Sequence, residues 1–345
     1  MNRWQHYLMR PVRERDLDAV LRLSAGGGKT LTTLPEDPAF LSKRIRRSIH
    51  AFYPEVVEPG NEAYTFVLED ASKGALLGVS GVFARTGGFE PFYSYERICE
   101  DNVYEPLGIR QTIERLECRT WHKGPSELGS LYLEPAARGG GAGKLLSLGR
   151  LLFMASFPER FESEVIAEIR GWQDEDGRSP FWEGVIRPFF GAAFAKMDAV
   201  SGTGEKDFIG ALLPRYPIYC NLLPPAVCEA IGRPHRQAEP AMNLLRSIGF
   251  ELTGFVDVFD AGPMLRARTA DLPTAAPVSV SAIRPIPDAE CPPARAAGIL
   301  FRRALDFRAV LVGAPPDAEG CIDVSTTQCE LLGGAAPSEL GFHAF

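Results

Sequence analysis

Two glycine-rich segments of the sequence have residue types that could bind phosphate groups. In the first, SAGGGKTLTTLP (Ser24–Pro35), the glycines are followed by Lys29 and Thr30. A Walker-type loop, G-x-x-x-x-G-K-[ST], requires a glycine at the position that Leu23 occupies. The preceding residues have the apolar spacing of a helix, whereas a Walker loop follows a buried strand. We therefore expect a helix exit and a loop here, with no nucleotide bound at Lys29.

The second segment is RGGGAG, between an apolar strand candidate at Leu128–Leu133 and a strongly apolar helix candidate at Gly143–Ala155. Glycines let the backbone approach an anion closely, and a helix N-terminus adds free N–H groups and a partial positive charge. A dinucleotide site is not indicated, because G-x-G-x-x-G with a later acidic partner is absent. The segment predicts a pyrophosphate-binding loop formed by Arg138, Gly139, Gly141 and Gly143. A glycine-rich β–α turn that binds nothing is the alternative.

Among five histidines, His235 has the surroundings that best suit chemistry, since it lies in a Pro- and Gly-flanked segment before a helix candidate. An imidazole exchanges a proton near neutral pH, although a loop histidine more often only faces solvent. A group of carboxylates earlier in the chain could hold a guanidinium by bidentate contacts. A solvated acidic loop is the simpler interpretation of that group, which comprises Glu168, Asp174, Glu175 and Asp176.

Composition excludes several classes of protein. The chain has 345 residues, 45% of them hydrophobic and 23% charged, and a net charge of −7, which argues against a nucleic-acid partner. Its seven cysteines are odd in number and contain no C-x-x-C pair, so we expect neither a metal site nor a disulfide framework. No signal-like segment or membrane-spanning run is evident. We expect a cytoplasmic protein without a membrane partner.

Strand and helix candidates alternate along the first half of the chain, which predicts an α/β fold with a mixed sheet. A helix is expected after Asp16, and Pro180–Phe190 is expected to form a short aromatic helix. The remaining candidates before residue 195 are strands at Tyr7–Val12, Ala63–Glu69, Ala75–Ala84, Leu128–Leu133 and Glu164–Ile169, and helices at Leu41–Phe52 and Gly143–Ala155.

Three regions are expected: 1–194 with the glycine loop, 195–271 with His235, and 272–345. In the second we expect a strand in DFIGALL and later elements at Pro225–Ile231, Ala238–Ile248 and Phe250–Phe259. Six prolines between Leu272 and Gly298 predict no regular element there. Short strands are expected beyond them.

The Arg-x-x-Gly-x-Gly pattern between a strand and a helix resembles the pyrophosphate motif of GNAT-type acyl-CoA transferases, and the element order is similar as well. Longer segments resemble the arginine N-succinyltransferase family: SELGSLYLEP, VIAEIRGWQDEDGRSPFW, SGTGEKDFIGALLPRYPIY, AIGRPHRQAEP and VDVFDAGP. The resemblance extends from about Arg10 to Pro263 and is weak after Phe307.

This resemblance implies a tandem GNAT-like fold, to which the short strands expected at the end of the chain would add a small C-terminal β-rich appendage. It implies transfer of a succinyl group from succinyl-CoA, as co-substrate and not as a permanently bound cofactor, to the α-amino group of L-arginine or L-ornithine. The backbone of Leu131 and Leu133 would pair with pantetheine, and His235 would be the catalytic acid/base. The resemblance also implies a homo-oligomer or pairing with a similar subunit.

One departure from the family concerns the residues after the histidine. The family usually has Pro next and Thr two places on, whereas Arg236 and Gln237 follow His235 here. This departure leaves open which groups orient the imidazole and which amine is the acceptor.

Three alternatives remain at this point. The chain could be a non-catalytic acyl-CoA-binding or regulatory subunit of a paired succinyltransferase, or a GNAT-type acyltransferase for another amine. A cysteine nucleophile is the third, although no cysteine has a recognisable Cys–His context. The presence of both the glycine loop and His235 favours an active enzyme.

Overall fold

The computed structural model describes residues 3–27, 34–53, 55–202, 206–291, 296–334 and 336–345. Lys29 and Thr30, where we expect no nucleotide site, lie outside the described residues. The chain divides into two compact units. Unit 1 comprises Met1–Ala84, Leu128–Ser163 and Arg268–Phe345, and unit 2 comprises Arg85–Glu127 and Glu164–Ala267.

The secondary structure elements are numbered in chain order. The strands are β1 (Tyr7–Pro11), β2 (Ala63–Asp70), β3 (Ala75–Phe83), β4 (Phe92–Tyr104), β5 (Ile109–Trp121), β6 (Ser126–Leu133), β7 (Glu164–Glu168), β8 (Ile218–Tyr219), β9 (Glu251–Asp257), β10 (Pro263–Arg268), β11 (Val278–Ser279), β12 (Ala282–Ile286), β13 (Gly298–Arg302), β14 (Arg308–Val312), β15 (Cys321–Ser325) and β16 (Leu340–Ala344). The α-helices are α1 (Leu17–Gly27), α2 (Pro38–Ala51), α3 (Ala142–Ser156), α4 (Arg187–Phe190), α5 (Phe194–Gly202), α6 (Asp207–Leu212), α7 (Pro225–Ala230), α8 (Glu239–Ser247) and α9 (Thr326–Leu331).

Unit 1 contains a sheet with the strand order β11-β16-β13-β14-β1-β2-β3-β6. Successive residues of β2 point to opposite faces of this sheet. Val67 belongs to the apolar cluster formed with α1 and α2, whereas the ring of Phe66 packs 5.2 Å from that of Phe153 in α3. The sheet is therefore covered by helices on both faces, and the expected α/β fold class is confirmed.

Unit 2 contains the strand order β6-β7-β10-β9-β4-β5-β8, to which β6 contributes Ser126 and Glu127. These two residues pair in parallel with Val165 and Ile166 of β7. An apolar cluster around Trp182, fully buried, packs the helices of this unit against its strands. The chain that continues from the end of β7 pairs with the loop of His235.

Several local predictions differ from the structure. The segment DFIGALL, expected as a strand, forms α6, because Ile209 and Leu213, four positions apart, are both buried on one helical face. The long hairpin β4–β5 was not predicted, since charged residues on both of its faces hide the alternation of a half-buried strand. The proline-rich segment contains β11 and β12, so the expectation of no regular element there was wrong. Pro285 is accommodated because β12 pairs with β15 in a two-stranded sheet.

Candidate functional site

The predicted pyrophosphate loop in unit 1 has an unusual backbone. Gly139, Gly140 and Gly141 are three consecutive left-handed residues, with φ of 92°, 59° and 94°. Gly141 is the N-cap of α3, and the amides of Gly143 and Lys144 have no main-chain acceptor among the described residues. The loop is solvent-exposed from Arg138 to Gly140. This geometry turns several N–H groups toward solvent at the positive end of a helix dipole, which suits an anionic ligand.

The strand before this loop is distorted in its middle. Ser130 of β6 has φ of 56°, in the left-handed region that non-glycine residues rarely adopt. Its hydroxyl accepts a 2.8 Å hydrogen bond from Arg44. The guanidinium of Arg150 donates to two carbonyl oxygens, that of Gly129 at 3.0 Å and that of Gly81 at 3.1 Å. Arginine side chains thus hold the distortion in place.

Arg150 lies within α3, whose side chains are buried almost throughout. Burial lowers the pKa of Arg150 to about 9, so the guanidinium remains a cation at neutral pH. Its hydrogen bonds go to main-chain carbonyls and not to a carboxylate. A buried charge without a carboxylate is costly, and its position between β3 and β6 indicates that it maintains the shape of β6.

Among the described residues of unit 1, β6 pairs with one strand, β3. It is therefore an edge strand of this unit. Leu131 and Leu133 follow the distortion and are partly exposed. An edge strand has backbone groups available for a further extended partner. The structure therefore places the predicted pantetheine-contacting residues, Leu131 and Leu133, on an edge that leads into the glycine loop.

His235 lies in unit 2, in the loop before α8. Its main-chain amide donates to the carbonyl oxygen of Arg170 at 2.8 Å. The main-chain amide of Trp172 donates in turn to the carbonyl oxygen of Arg233 at 2.9 Å. Gly171 and Pro234 form an antiparallel bridge between these contacts. The histidine loop is thus paired with the chain that continues from β7.

The imidazole of His235 is partly exposed, and its Nδ1 accepts a 3.2 Å hydrogen bond from the amide of Gln237. In the neutral ring, this bond places the proton on Nε2. Burial, followed by the nearby charges of Arg170 and Arg236, lowers the pKa of His235 below its ordinary value. The ring is therefore neutral at pH 7, and its proton-accepting lone pair is on Nδ1, the atom that the amide of Gln237 contacts.

Charged residues beside this loop extend the candidate site beyond the sequence predictions. Glu168 ends β7 and Arg170 follows it, while Asp260 accepts hydrogen bonds from the amides of Gly171 and Gly262 at 2.8 Å each. Arg170 and Asp260 were not singled out from the sequence. The available signal was two charged residues, two positions apart, at the end of the apolar run VIAEI.

The other acidic residues of that segment form a solvent-exposed turn. Asp174 accepts hydrogen bonds from the amides of Asp176 at 3.0 Å and Arg178 at 2.8 Å. Glu175 and Asp176 are exposed. This agrees with the simpler interpretation of the acidic loop for these three carboxylates, and it separates them from Glu168.

All seven cysteines are free thiols. Burial raises the pKa of Cys220 to about 12 and also raises that of Cys118, Cys291 and Cys329, so these thiols are poor nucleophiles.

In the described ranges, no group of three or more His, Cys, Asp or Glu side chains is placed to hold a metal ion. No described helix is both long and apolar enough to cross a membrane.

An edge strand, a left-handed glycine loop and a buried helix in a mixed α/β fold form the arrangement that the sequence analysis expects of an acyltransferase. Comparisons with known proteins agree. A family model described as "Arginine N-succinyltransferase beta subunit" matches residues 7–274. The arginine N-succinyltransferase of Yersinia pestis (strain Pestoides F) is 39% identical over 264 residues, which cover 76% of this chain and 75% of that protein.

A curated sequence and a solved structure from Pseudomonas aeruginosa are similar over nearly the whole chain. Arginine N-succinyltransferase subunit alpha is 37% identical over 327 residues, covering 94% of this chain and 96% of that protein. The structure of arginine/ornithine succinyltransferase subunit AI has a TM-score of 0.86 and 34% identity, covering 98% of both chains. The chain belongs to the arginine N-succinyltransferase family. The resemblance inferred from the sequence is confirmed, as is the expected enzyme class.

Proposed function

We propose that this protein transfers the succinyl group of succinyl-CoA to the α-amino group of L-arginine, with L-ornithine as a second acceptor. Its family supports the reaction. The observation that carries the acyl-CoA assignment is the run of left-handed glycines, Gly139–Gly141, at the N-terminus of α3. In this proposal the loop and the exposed Arg138 hold the pyrophosphate, and the backbone of Leu131 and Leu133 pairs with pantetheine.

The reaction forms one bond and breaks another without a covalent intermediate on the protein. The neutral α-amine attacks the thioester carbonyl carbon, a C–N bond forms, and the C–S bond then breaks to release CoA thiolate. The amine loses one proton and the thiolate gains one. Such a reaction needs a group that can both accept and return a proton.

His235 is the residue we assign to this role. Its low pKa keeps the imidazole neutral and available for the amine's proton. The imidazolium gives up the weak bond from Gln237, at a cost of about 1 kcal/mol, and returns a proton to the thiolate. Main-chain pairing with Arg170 keeps the loop in place during this exchange.

We also place the enzyme in the cytoplasm, as a homo-oligomer or paired with a similar subunit. Seven free thiols fit a reducing compartment. The names of the family model and of the Pseudomonas relative both refer to subunits, which supports an assembly of more than one chain.

A thiol-release assay with succinyl-CoA tests the proposal. The purified chain is mixed with L-arginine, L-ornithine or L-lysine, and the product mass is measured. We expect CoA release and an N-succinylated product with L-arginine, and a lower rate with L-ornithine. Release with a different amine would support the alternative acceptor. Binding of succinyl-CoA without release would support the non-catalytic subunit.

A further inference from the structure

Beside His235, the continuation of β7 carries two charged side chains that the proposed mechanism has not used. Glu168 and Arg170 are two positions apart, and the carbonyl of Arg170 accepts the amide hydrogen of His235 at 2.8 Å. Residues two apart on extended chain point to the same side and are about 6.6 Å apart. Arg170 therefore lies beside the candidate catalytic histidine, and Glu168 lies one step back on the same side of the extended chain.

Glu168 is held where a carboxylate is poorly stabilised. Its Oε1 atom is buried and has no hydrogen-bond partner among the described residues. Burial, and then the charges of Asp257, Glu127 and Asp260, raise the pKa of Glu168, while Lys206 is the cation that opposes this. A buried acceptor without a donor, surrounded by further carboxylates, favours an incoming cation.

Arg170 has the complementary deficiency. Its Nε and Nη2 atoms are buried and have no acceptor in the part of the chain that is described. The adjacent carboxylate of Asp260 already accepts hydrogen bonds from Gly171 and Gly262. A guanidinium with two free donors is suited to a carboxylate, which it can bind in a bidentate manner.

We propose that Glu168 and Arg170 bind the two ends of the acceptor amino acid: Arg170 binds its α-carboxylate, and Glu168 binds the positive charge of its side chain. This inference rests on the proposed function and specifies its acceptor site. With the α-carboxylate on Arg170, the α-amine lies on the side of His235. The guanidinium of an extended arginine then reaches back along the strand toward Glu168 and its neighbouring carboxylates.

Arg170 could instead hold the terminal carboxylate of the succinyl group, which has the same chemistry as the α-carboxylate of the acceptor. Pairs of substrates that differ in one charged group distinguish these two carboxylates. L-Citrulline replaces the guanidinium of L-arginine with a neutral group of similar shape, agmatine lacks the α-carboxylate, and butyryl-CoA lacks the succinyl carboxylate. Each comparison reports on one charge of one substrate.

The experiment measures kcat/KM, or the inhibition constant of a substrate that does not react, for wild type, Glu168→Gln and Arg170→Gln. Exposed residues of the same segment supply the matched controls, Glu175→Gln and Arg178→Gln. We expect Glu168→Gln to reduce the preference for L-arginine over L-citrulline on the order of 10- to 100-fold, the effect of one charge-assisted contact. Arg170→Gln should reduce the preference for L-arginine over agmatine similarly. Both controls should leave these ratios unchanged.

Equal losses for L-arginine and L-citrulline in Glu168→Gln would overturn the guanidinium assignment and indicate a structural role. An Arg170→Gln variant that loses only the preference for succinyl-CoA over butyryl-CoA would overturn the α-carboxylate assignment. If wild type releases no CoA with L-arginine, the proposed function fails. Calorimetric binding of L-arginine, L-citrulline and agmatine to wild type and both variants would then still test the pair, and equal affinities for all three would refute it.

Discussion

The amide of His235 donates a 2.8 Å hydrogen bond to the carbonyl oxygen of Arg170, which brings an imidazole and a guanidinium side by side in unit 2. The positive charge of Arg170 contributes, after burial, to lowering the pKa of His235. The main-chain contact holds the histidine in position, and the charge of Arg170 adds to the effect of burial on its pKa.

Replacement of the histidine tests its proposed role in proton transfer. We expect His235→Ala to reduce kcat on the order of 10²- to 10⁴-fold, the usual contribution of a general acid–base group. The KM for succinyl-CoA should change little. Steady-state kinetics across pH should also show loss of the low-pH limb. Near-normal turnover with an intact acidic limb would assign proton transfer to another group.

A neighbouring charge tests the origin of that limb. Protonation of His235 adds a positive charge next to Arg236, which lowers the pKa of the histidine. In Arg236→Gln this repulsion is removed, the pKa rises, and the acidic limb of kcat/KM should move to higher pH. Arg246→Gln, exposed in α8, is the control and should leave the limb in place. A limb that does not respond to Arg236→Gln would not belong to His235.

The glycine loop is best tested at Gly139, where an added Cβ meets no atom within 4 Å. At Gly141 it would lie 3.2 Å from Leu311, which would confuse packing with binding. We expect Gly139→Ala to raise the KM for succinyl-CoA by about 10-fold or more, as the loss of one charge-assisted contact does. Gly177→Ala, also left-handed and uncrowded, is the control for backbone strain. Equal KM values in the two variants would place the pyrophosphate elsewhere.

Arg138 should contribute charge to the same loop. Because its side chain is exposed, we expect Arg138→Ala to cost about 1.5–3 kcal/mol of acyl-CoA binding, the range for a hydrogen bond to a charged group. Isothermal titration with CoA at two salt concentrations measures this, and the loss should shrink at high salt. The control is Arg15→Ala, at another exposed arginine. An equal loss of CoA affinity in this control would show that the effect comes from the net charge of the protein and not from a contact of Arg138.

Arg150 should act on acyl-CoA through the shape of β6. Arg150→Met removes the donors to Gly129 and Gly81, so the distortion at Ser130 should relax. We expect a higher KM for succinyl-CoA and faster amide hydrogen exchange in β6, with the KM for L-arginine almost unchanged. Arg160→Met, a buried arginine that donates to Ala51, is the control for lost stability. Equal effects of the two substitutions on KM would reduce Arg150 to a structural role.

Much of unit 1 could be predicted from the sequence because its signals are local. The apolar spacing that predicts α1 and α2, the strands β1 to β3 and the strand–glycine–helix order all depend on residues close together in the chain. The glycine loop followed from residue type, since few residues other than glycine accept three consecutive left-handed conformations. Long segments shared with a known family supplied the enzyme class and the candidate histidine.

Other features depend on residues far apart in the sequence, and there the local pattern was insufficient. Asp207–Leu212 is helical because burial of Ile209 and Leu213 on one face outweighs its strand-like composition. Charged residues on both faces of β4 and β5 break the alternation of polar and apolar residues, so this hairpin was not predicted from the sequence.

From the sequence, Glu168 was grouped with the acidic loop that follows it, and Arg170 was not singled out. Pairing of residues 170–172 with residues 233–235, more than sixty positions away, places Arg170 beside His235. Local sequence encodes which residues can form a strand, a helix end or a left-handed loop. Which charged side chains become buried together depends on long-range backbone pairing, since only the folded chain brings those residues within hydrogen-bonding distance.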